Sequence, residues 1–512
     1  MPRSKKMIDE YEDDELYDEL YDEEPLPAKK KKKHGGSGKD KHKNREIWVV
    51  TYIFIFLMLA VIGHEIKFVY SDSETAINNS YNPRQEILAQ KNVRGSILAD
   101  DGSVLAQTVR AGDGTEKRVY PYSNLFAHVV GFSTKGKTGI EYLGNMNMLT
   151  SNASLSEKIQ KEISAEKAIG DNVVTTLNVD LQKVAYEALG VYDGAIIVSE
   201  PSTGKILAMV SKPDFDPNSI VETWDGLVND SSSSVLLNRA TQGLYPPGST
   251  FKMITSLAYY RQNGGDVSDY HFNCNGSFTY NGDRINCYHG SSHGSIDFAT
   301  SFAKSCNSSF ANIGLSLDLE GLEETCEDLM FNEDLNLKFT TAQSKYVLGT
   351  SAGSYDIMQT SIGQGKTQIT PLLLNMITCA IANEGTVETP YLIDRIESYN
   401  GNTVKTFSPQ EYKTIMTKDE AEFLKEMMTG VVERGTASKL KGLSYTAAGK
   451  TGSAEYSAVK TDSHAWFTGF APVDDPQVCV TIIVEGAGSG GEYAVPMAKR
   501  IFDTYFQSKG LN

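Results

Sequence analysis

Serine and lysine residues recur in this chain at a spacing that suits nucleophilic catalysis. A serine hydroxyl is a weak nucleophile at its own pKa and needs a base, which a neutral lysine one helical turn away could supply. Ser-x-x-Lys occurs six times, beginning at Ser164, Ser202, Ser249, Ser301, Ser438 and Ser457. The spacing alone therefore identifies no catalytic centre, and the surrounding sequence has to distinguish among the six.

Ser249 has the sequence context that best fits a nucleophile. In YPPGSTFKMI it follows two prolines and Gly248, which favour a helix entrance and the close approach of another backbone. Ser249 would then lie in the first helical turn with Lys252 on the same face. Four of the other serines fall in a predicted strand turn, polar loops or a charged stretch, so their spacing is incidental.

A lysine acts as a base only when it is neutral, and burial, a helix N-terminus or a second cation lowers its pKa. A second lysine is therefore expected near Lys252. Lys450 in GKTGSA is the candidate. On an edge strand, the Thr451 side chain would point to the side where the substrate lies. Gly452 would leave space for the substrate to lie along the strand. The same Lys-Thr-Gly triplet also occurs at residues 137–139.

The third motif is Ser305-Cys306-Asn307 in FAKSCNSSF, which offers a hydroxyl to relay a proton and an amide to hold a peptide carbonyl. Each of the three motifs is weak alone. Only the set that begins at Ser249 and continues with Ser305 and Lys450 places all three in order within one predicted domain. Ser301, the nearest other Ser-x-x-Lys, falls inside the helix leading to Ser305 and is expected to be structural.

The elements that must position these residues follow from apolar patterning. GAIIVSEPSTGKILAMVS reads as two strands joined by a turn, and TAAGKTGSAEY, HAWFTGFAPV and QVCVTIIVEG read as three more before a last helix in PMAKRIFDTYFQ. We predict a mixed α/β (α+β) fold with a five-stranded antiparallel sheet whose edges come from opposite ends of the domain. The helix-rich middle would form a lobe, and the substrate cleft would lie between lobe and sheet.

The ordered motifs resemble those of the penicillin-binding proteins and serine β-lactamases. Further stretches resemble the class B, monofunctional penicillin-binding proteins: RGSILADDGSVLA, GIEYLGN, STGKILAMVSKPDFDPN, NRATQGLYPPGSTFK, HGSIDFATSFAKSCN, IGQGKTQITP and GTASKLKG with AAGKTGSAE. The resemblance runs from about Arg94 to the C-terminus. It implies the penicillin-binding transpeptidase fold preceded by an N-terminal pedestal, and it implies a serine-type D-Ala-D-Ala transpeptidase that cross-links peptidoglycan stem peptides and is acylated by β-lactams.

The resemblance also implies a role for each residue of the first two motifs. Ser249 would attack the carbonyl of the penultimate D-alanine of a stem peptide and release the last D-alanine. Lys252 would take the serine proton, and Ser305 would pass a proton to the leaving amine. Asn307 would hold the donor peptide, and an amine of a neighbouring stem peptide would then resolve the acyl-enzyme.

The third motif is implied to bind the substrate. Lys450 and Thr451 would bind the terminal carboxylate or its β-lactam equivalent, beside Gly452. The backbone N–H groups of Ser249 and Ser453 would form the oxyanion hole. No cofactor is expected.

The N-terminus combines charged runs with an apolar segment. An acidic run from Asp9 to Glu24 precedes the basic stretch KKKKKHGGSGKDKHKNR, and neither can build a core. Residues 47–63, IWVVTYIFIFLMLAVIG, then carry no charge and are long enough for a membrane span. The basic flank predicts an uncleaved single-pass anchor in the cytoplasmic membrane, with a cytoplasmic N-terminus and an extracytoplasmic catalytic domain.

We therefore expect four segments: a disordered cytoplasmic tail at 1–46, a transmembrane anchor at 47–64, a pedestal resembling a dimerisation domain at 65–170, and a transpeptidase domain at 171–512. The pedestal leaves no room for a glycosyltransferase domain. The resemblance to class B proteins implies that lipid-linked glycan strands are polymerised by a partner, a membrane glycosyltransferase of the SEDS type.

Charge and cysteine content exclude other classes. A net charge of −17, with no basic face outside the tail, argues against nucleic-acid binding. The six cysteines contain no C-x-x-C, which argues against a zinc site, and no metal is expected. Cys274 and Cys287 flank a short segment rich in Gly and Asn. They could form a disulfide outside the cytoplasm or remain two free thiols.

Two alternative functions remain at this stage. A β-lactamase would need a group that activates water against the acyl-enzyme; Glu333 lies three residues before Asn336, one residue short of the spacing in class A enzymes. A non-enzymatic β-lactam sensor or scaffold would bind without cross-linking. The sequence does not indicate whether the enzyme serves elongation, division or sporulation.

Overall fold

The structure is a computed structural model that describes residues 40–69, 82–164, 166–456 and 463–510. The chain divides into two units, Met1–Ser73 and Glu74–Asn512, which are described separately. Most of the predicted cytoplasmic tail, residues 1–39, lies outside the described residues.

The first unit contributes one long helix, α1 (Asp40–Lys67). Its segment Arg45–Lys67 spans 23 residues and contains an 18-residue stretch with a mean hydropathy of 2.3, none of which is buried in the protein. At about 1.5 Å per residue this length exceeds the roughly 30 Å of a bilayer core, so the helix is long and apolar enough to cross a membrane. The helix begins at Asp40 and so includes the last seven residues of the expected tail, 40–46. The end of the tail is rich in Lys and Arg, and it extends the helix because both residue types have a high helix propensity.

The second unit contains the remaining helices and all the described strands. The helices are α2 (Pro83–Lys91), α3 (Ala127–Val130), α4 (Gly139–Leu143), α5 (Asn145–Leu149), α6 (Leu155–Ile163), α7 (Val179–Leu189), α8 (Ile220–Asn229), α9 (Arg239–Gln242), α10 (Lys252–Gln262), α11 (Phe298–Ala303), α12 (Asn307–Ser316), α13 (Leu319–Asp328), α14 (Ser354–Ser361), α15 (Pro371–Ala382), α16 (Lys418–Arg434) and α17 (Ala494–Ser508).

The strands are β1 (Asn92–Val93), β2 (Ile97–Leu98), β3 (Val104–Arg110), β4 (Glu116–Val119), β5 (Ala168–Ile169), β6 (Asn172–Thr175), β7 (Gly194–Ser199), β8 (Ile206–Lys212), β9 (His271–Cys274), β10 (Ser277–Tyr280), β11 (Asp283–Asn286), β12 (Gly294–Asp297), β13 (Thr386–Glu388), β14 (Ile393–Glu397), β15 (Thr403–Thr406), β16 (Glu411–Thr414), β17 (Ala448–Glu455), β18 (Ser463–Ala471) and β19 (Val478–Val484).

The predicted five-stranded sheet is present in the order β17-β18-β19-β7-β8, and every pair in it is antiparallel. Its edges come from the two ends of the domain, as expected. Every residue of β7, β18 and β19 is buried, so helices cover both faces. The prediction of a mixed α/β fold, in which a helical lobe accompanies a five-stranded antiparallel sheet, is confirmed by these strands and helices.

A six-stranded sheet in the order β15-β14-β6-β2-β3-β4 forms the core of the pedestal. Its strands β14 and β15 come from a much later part of the chain, where β14 pairs with β6. The predicted division at residues 170 and 171 therefore does not separate the two sheets. The sequence does not predict this shared sheet, because β6 and β14 are far apart in the chain and neither strand carries a signal for its partner.

A small β module, residues 271–297, lies between the helix that follows Ser249 and the helix that precedes Ser305. It consists of two two-stranded antiparallel sheets, β9 with β12 and β10 with β11. Most of its side chains are exposed or half-buried. The module leads directly into α11 and so into the second predicted motif.

Candidate active site

The entrance of α10 is fixed by contacts from two other elements. The Trp466 indole Nε1 on β18 donates to the Pro246 carbonyl at 3.1 Å, and the Gly248 N–H donates to the Gly363 carbonyl at 2.8 Å. Gly248 has φ +53°, and a Cβ placed there would lie 2.8 Å from the Ser453 carbonyl oxygen. Glycine is required at 248 because the turn is left-handed and the backbone of β17 lies against it.

Ser249 lies in the 3-10 turn Gly248–Phe251, which runs directly into α10 at Lys252. Ser249 is half-buried, whereas Lys252 is completely buried. Among the described residues, the Ser249 hydroxyl has no hydrogen-bond partner, so it is free to contact a ligand.

Lys252 is held by the second motif. Its Nζ donates to the Ser305 carbonyl at 2.8 Å and to Asn307 Oδ1 at 2.7 Å, and it lies 3.3 Å from Ser305 Oγ. Burial lowers the pKa of Lys252 to about 8, although the neighbouring Cys306 and Cys287 thiols act in the opposite direction. A lysine with this pKa exchanges its proton near neutral pH, as a general base must.

Ser305 joins α11 to α12 in a left-handed backbone conformation, with φ +54°. This conformation is uncommon for a residue with a side chain and costs roughly 1–2 kcal/mol. The Ser305 N–H donates to the Phe302 carbonyl at 3.0 Å, which helps to hold the turn. The turn places the hydroxyl between two lysines, and strained backbone of this kind is concentrated at functional sites.

Lys450 lies on the other side of the Ser305 hydroxyl. Its Nζ donates to Ser305 Oγ at 2.9 Å and to the Thr451 carbonyl at 3.0 Å. The side chain is fully buried, and burial together with the charge of Lys252 holds the pKa of Lys450 well below its usual value. The structure thus brings the three motifs together: Ser305 Oγ is shared by the lysines of the other two.

Asn307 is bound at both ends of its amide. Its Oδ1 accepts from Lys252, and its Nδ2 donates to the Asn286 carbonyl at 3.0 Å, at the end of β11. Each end retains capacity for a further hydrogen bond. The residue therefore links Lys252 to the small β module.

Thr451, Gly452 and Ser453 lie on the edge strand β17. The Thr451 hydroxyl is 2.5 Å from the Thr436 hydroxyl. A Cβ at Gly452 would lie 3.0 Å from the Trp466 Cβ, 3.1 Å from the Pro247 carbonyl oxygen and 3.1 Å from the Thr250 Cγ2. The packing of β17 against the helix entrance therefore also favours glycine at this position.

Thr436 was not identified from the sequence as a site residue. Its N–H donates to the Ala303 carbonyl at 3.3 Å, and a Cβ at the preceding Gly435 would lie 2.1 Å from the same oxygen. This close approach places the loop after α16 beside both α11 and Thr451. The stretch GTASK was the available signal, but only the fold places it next to β17.

Glu485 was also missed. Its Oε1 accepts from the Tyr245 hydroxyl at 2.6 Å and from Arg239 Nε at 2.7 Å, just before the two prolines. Arg239 is almost fully buried, so this ion pair anchors the segment that carries Ser249. A single carboxylate at the end of β19 gives no local sign of that role.

Glu333, the residue considered for a β-lactamase reaction, lies in a surface ion pair. Its carboxylate is 3.3 Å from Lys413 Nζ on β16, with exposed fractions of 44% and 39% for the two side chains. Its contacts among the described residues do not include Ser249, Lys252 or Ser305. The geometry gives it no part in activating water at this site.

Two family matches cover most of the second unit. Residues 194–503, more than half of the chain, match the penicillin binding protein transpeptidase domain. Residues 94–173 match the penicillin binding protein A dimerisation domain. The chain belongs to the penicillin-binding protein transpeptidase family.

Individual penicillin-binding proteins resemble the chain over most of its length. The peptidoglycan D,D-transpeptidase PbpA of Mycolicibacterium smegmatis is 31% identical over 435 residues, which cover 79% of this chain and 87% of the relative. The solved D,D-transpeptidase domain of a peptidoglycan glycosyltransferase from Eggerthella lenta has a TM-score of 0.74 and 29% identity, with 82% of this chain and all of that one covered. Penicillin-binding protein A of M. tuberculosis, solved as a penicillin G acyl-enzyme complex, has a TM-score of 0.71 and 27% identity over 81% of this chain and all of the other.

Proposed function

We propose that this penicillin-binding protein is a peptidoglycan D,D-transpeptidase in which Ser249 carries the acyl group. The observation that carries the proposal is that the buried Lys252 and Lys450 share the Ser305 hydroxyl, while Ser249, one helical turn before Lys252, has no hydrogen-bond partner for its own hydroxyl among the described residues. The M. smegmatis relative bears the same activity in its name, and the M. tuberculosis neighbour is a β-lactam acyl-enzyme. Both support acyl transfer from a D-Ala-D-Ala peptide.

Acylation uses Lys252 in its neutral form. Lys252 takes the Ser249 proton as the serine oxygen bonds to the carbonyl carbon of the penultimate D-alanine. When the tetrahedral intermediate breaks its C–N bond, the proton passes from Lys252 through the Ser305 hydroxyl to the leaving amine of the last D-alanine. Ser305 suits this relay because its oxygen lies within 3.3 Å of both lysine Nζ atoms.

The substrate carboxylate is bound at the edge strand β17. The paired hydroxyls of Thr451 and Thr436 offer donors there, and the buried Lys450 Nζ lies behind them as a further N–H donor. Asn307, which retains a free hydrogen on its amide, holds the donor peptide. Ser249 is thereby aligned with a peptide that lies along β17.

The oxyanion hole is formed by the backbone N–H groups of Ser249 and Ser453. The two segments are adjacent, since Gly248 packs directly against the Ser453 carbonyl. The first N–H groups of a helix have no partner within it and are available for a ligand. Fixed donors of this kind lower the barrier by about 3 to 4 kcal/mol each.

Cross-linking completes the reaction. The amine of a neighbouring stem peptide attacks the Ser249 ester and gives up a proton to Lys252, and the serine leaves with that proton. A β-lactam enters by the same first step, but its leaving amine stays tethered in the opened ring and blocks the second.

The proposed setting is the cytoplasmic membrane. The segment Arg45–Lys67 would span the bilayer once, and the basic residues before it would keep the N-terminus in the cytoplasm. The second unit would then lie outside, where stem peptides are found. A SEDS-type glycosyltransferase would supply the glycan strands.

Mass spectrometry of the full-length chain in detergent micelles tests the proposal. After treatment with penicillin G we expect one adduct per chain, stable for many minutes and mapped to Ser249, and no adduct on Ser249→Ala. Ser202→Ala, which alters another Ser-x-x-Lys serine, is the matched control and should label normally. An adduct on another residue would refute the assignment, and rapid turnover of the penicillin would favour a β-lactamase.

A further inference from the structure

The side chain of Gln364 makes a strand-like contact with the end of β17. With the amide oriented so that both of its groups are satisfied, its Nε2 donates to the Glu455 carbonyl at 3.2 Å and its Oε1 accepts from the Glu455 N–H at 3.1 Å. A neighbouring antiparallel strand would make the same pair of hydrogen bonds. Gln364 is half-buried and follows α14 in the stretch IGQGKTQITP. No role follows for it from the sequence.

The backbone of Gln364 is fixed by the way α14 ends. The Gly363 N–H donates to the Thr360 carbonyl at 2.8 Å, and the Gln364 N–H donates to the Gln359 carbonyl at 2.9 Å. Gly363 is left-handed, with φ +78°. These two hydrogen bonds and the glycine form a Schellman motif, which sets the direction of the residue that follows. The Gln364 side chain therefore starts from a well-defined turn.

The same turn is bound to the segment that carries Ser249. The Gly248 N–H donates to the Gly363 carbonyl at 2.8 Å. Further along, Tyr245 and Ile369 exchange both of their backbone hydrogen bonds, at 3.1 and 2.8 Å. The chain after α14 is therefore held against the nucleophile segment at two points, and Gln364 lies between them.

The contact at Glu455 also defines where the Ser453 N–H points. Alternate residues of an antiparallel strand direct their N–H and C=O groups to the same side. Both groups of Glu455 face Gln364, so those of Ser453, two residues earlier, face the same open side of β17. The Thr451 carbonyl fits this alternation, since it accepts from the Lys450 Nζ at 3.0 Å. The Ser453 N–H is thus available to a ligand that lies along β17.

We propose that Gln364 is a positioning residue that sets the Ser453 N–H relative to the Ser249 N–H. This inference rests on the proposed function, in which these two groups form the oxyanion hole. The turn after α14 holds the Ser249 half through Gly363 and the Ser453 half through Gln364. Because the two holding residues are consecutive in one rigid turn, the two halves of the oxyanion hole are fixed to each other.

The end of β17 needs support of this kind. The strand lies at the edge of the five-stranded sheet, and among the described residues its one neighbouring strand is β18. The pairing of the two strands ends at Glu455 and Ser463. An oxyanion hole is effective only when its donors are held in place before the charge develops. The two hydrogen bonds from Gln364 supply that restraint two residues from Ser453.

A purely structural role would predict a different result. Gln364 could instead only cover the unpaired backbone groups of an edge strand. Its loss would then lower stability and leave the oxyanion hole unchanged. The acyl-enzyme distinguishes the two roles, because the stretching frequency of its ester carbonyl falls when N–H groups donate to the carbonyl oxygen. The frequency rises when those donors are displaced.

Infrared spectroscopy of the acyl-enzyme tests the proposal. Gln364→Leu removes both hydrogen bonds and keeps a side chain of similar size. The full-length chain in detergent micelles is acylated with penicillin G, with and without ¹³C at the β-lactam carbonyl, and the ester band is identified from the difference spectrum. We expect this band at higher frequency in Gln364→Leu than in the parent chain.

The kinetics of the same variant provide a second readout. The first-order rate constant of acylation should fall about tenfold or more, because an oxyanion donor acts on the transition state. The dissociation constant of the non-covalent penicillin complex should change by less than about twofold, because little charge is present on the oxygen before the reaction. A loss confined to the dissociation constant would contradict the positioning role.

Gln359→Leu is the matched control. Gln359 is another half-buried glutamine of α14, and its Nε2 donates to the exposed Tyr355 hydroxyl at 3.0 Å. This variant should keep the parental frequency and rate. Gln364→Asn retains the amide but is one methylene shorter, so it should behave like Gln364→Leu because the amide cannot reach both groups of Glu455.

A parental frequency in folded Gln364→Leu would overturn the proposal, as would parental behaviour of Gln364→Asn. If Gln364→Leu does not fold, Gln364→Glu decides, because its carboxylate can accept from the Glu455 N–H but cannot donate to the carbonyl. A raised frequency then supports the role and a parental one contradicts it. The Ser249 adduct is measured separately on the parent chain, so its absence would refute the proposed function and not only the role of Gln364.

Discussion

Lys252 connects the chemistry of single residues to the structure around them. Its Nζ faces Ser305 and Asn307, its side chain is completely buried, and its pKa lies at about 8 because of that burial. The neighbouring Lys450 Nζ donates to the Ser305 hydroxyl from its other side. Lys252 is therefore a base that can lose its proton near neutral pH, and the Ser305 hydroxyl between the two lysines is able to carry that proton onward.

The rate of acylation should follow the deprotonation of Lys252. Only the neutral amine can take the Ser249 proton, so the second-order rate constant for a β-lactam should rise about tenfold per pH unit below about 8 and level off above it. Stopped-flow measurements with a chromogenic cephalosporin between pH 6 and 9.5 check this. A profile that is flat across that range would exclude Lys252 as the base, provided that the thermal unfolding temperature stays constant.

At the scale of elements, the site depends on close backbone contacts between three segments. The turn at Gly363 packs on the turn at Gly248, and β17 packs on the same turn from the other side. These contacts leave no room for a side chain at several glycines. The position of Ser249 is therefore fixed by neighbouring backbones more than by its own helix.

Gly363→Ala should displace the entrance of α10. A Cβ at Gly363 would lie 1.8 Å from the Gly248 carbonyl oxygen, and its φ of +78° is itself unfavourable for alanine. We expect the acylation rate to fall about 100-fold or more because Ser249 shifts relative to its partners. The measurement is labelling by a fluorescent penicillin.

Gly365→Ala is the control for that variant. Gly365 has a similar φ of +85°, but a Cβ there would meet its nearest atom at 3.7 Å. It should therefore show only the cost of the left-handed backbone, roughly 1–2 kcal/mol of stability, and label at nearly the normal rate. Equal losses in both variants would show that backbone strain, and not the contact with Gly248, is responsible.

At the scale of the whole second unit, a buried ion cluster holds the pedestal together. Glu141 is completely buried; its Oε2 accepts from Arg94 Nη2 at 2.6 Å, and its Oε1 accepts from Arg118 Nε at 2.7 Å and from the Tyr120 hydroxyl at 3.2 Å. Burial by itself would raise the pKa of Glu141, but the two arginines outweigh it and hold that pKa below its usual value. The cluster joins the strands of the pedestal sheet to α4.

Glu141→Gln should destabilise the pedestal by about 3 to 5 kcal/mol, because it leaves two largely buried arginines without a counter-charge. This loss of stability is measured by chemical denaturation of the full-length chain, with unfolding of the pedestal monitored as proteolytic cleavage within residues 94–173. The stabilisation from Glu141 is present above the ordinary carboxyl pKa and is lost as the pH falls through its lowered pKa. Stability should therefore decline only under acidic conditions.

Glu116→Gln is the matched control. Glu116 also contacts two cations, Arg110 at 3.1 Å and Lys167 at 3.0 Å, but all three side chains are partly exposed. Exposed ion pairs contribute about 0–1 kcal/mol, so this variant should unfold almost as the parent does. A large effect at Glu116, or none at Glu141, would contradict the assigned role of burial.

The sequence by itself determined the features that depend on local pattern. The apolar runs of β7, β8 and β19, together with the strand-like stretches that form β17 and β18, predicted the five-stranded sheet, since strands buried on both faces read as largely apolar stretches. The order of the Ser249, Ser305 and Lys450 motifs identified the family. The uncharged stretch after a basic flank predicted the apolar helix now placed in α1.

Only the tertiary structure decided what depends on distant neighbours. The left-handed turn at Ser305, the part played by Thr436 and Glu485, and the addition of β14 and β15 to the pedestal sheet carry no local signature. The physical reason is the same in each case: these features are stabilised by packing between segments far apart in the chain, and periodicity and spacing report only on neighbours in sequence.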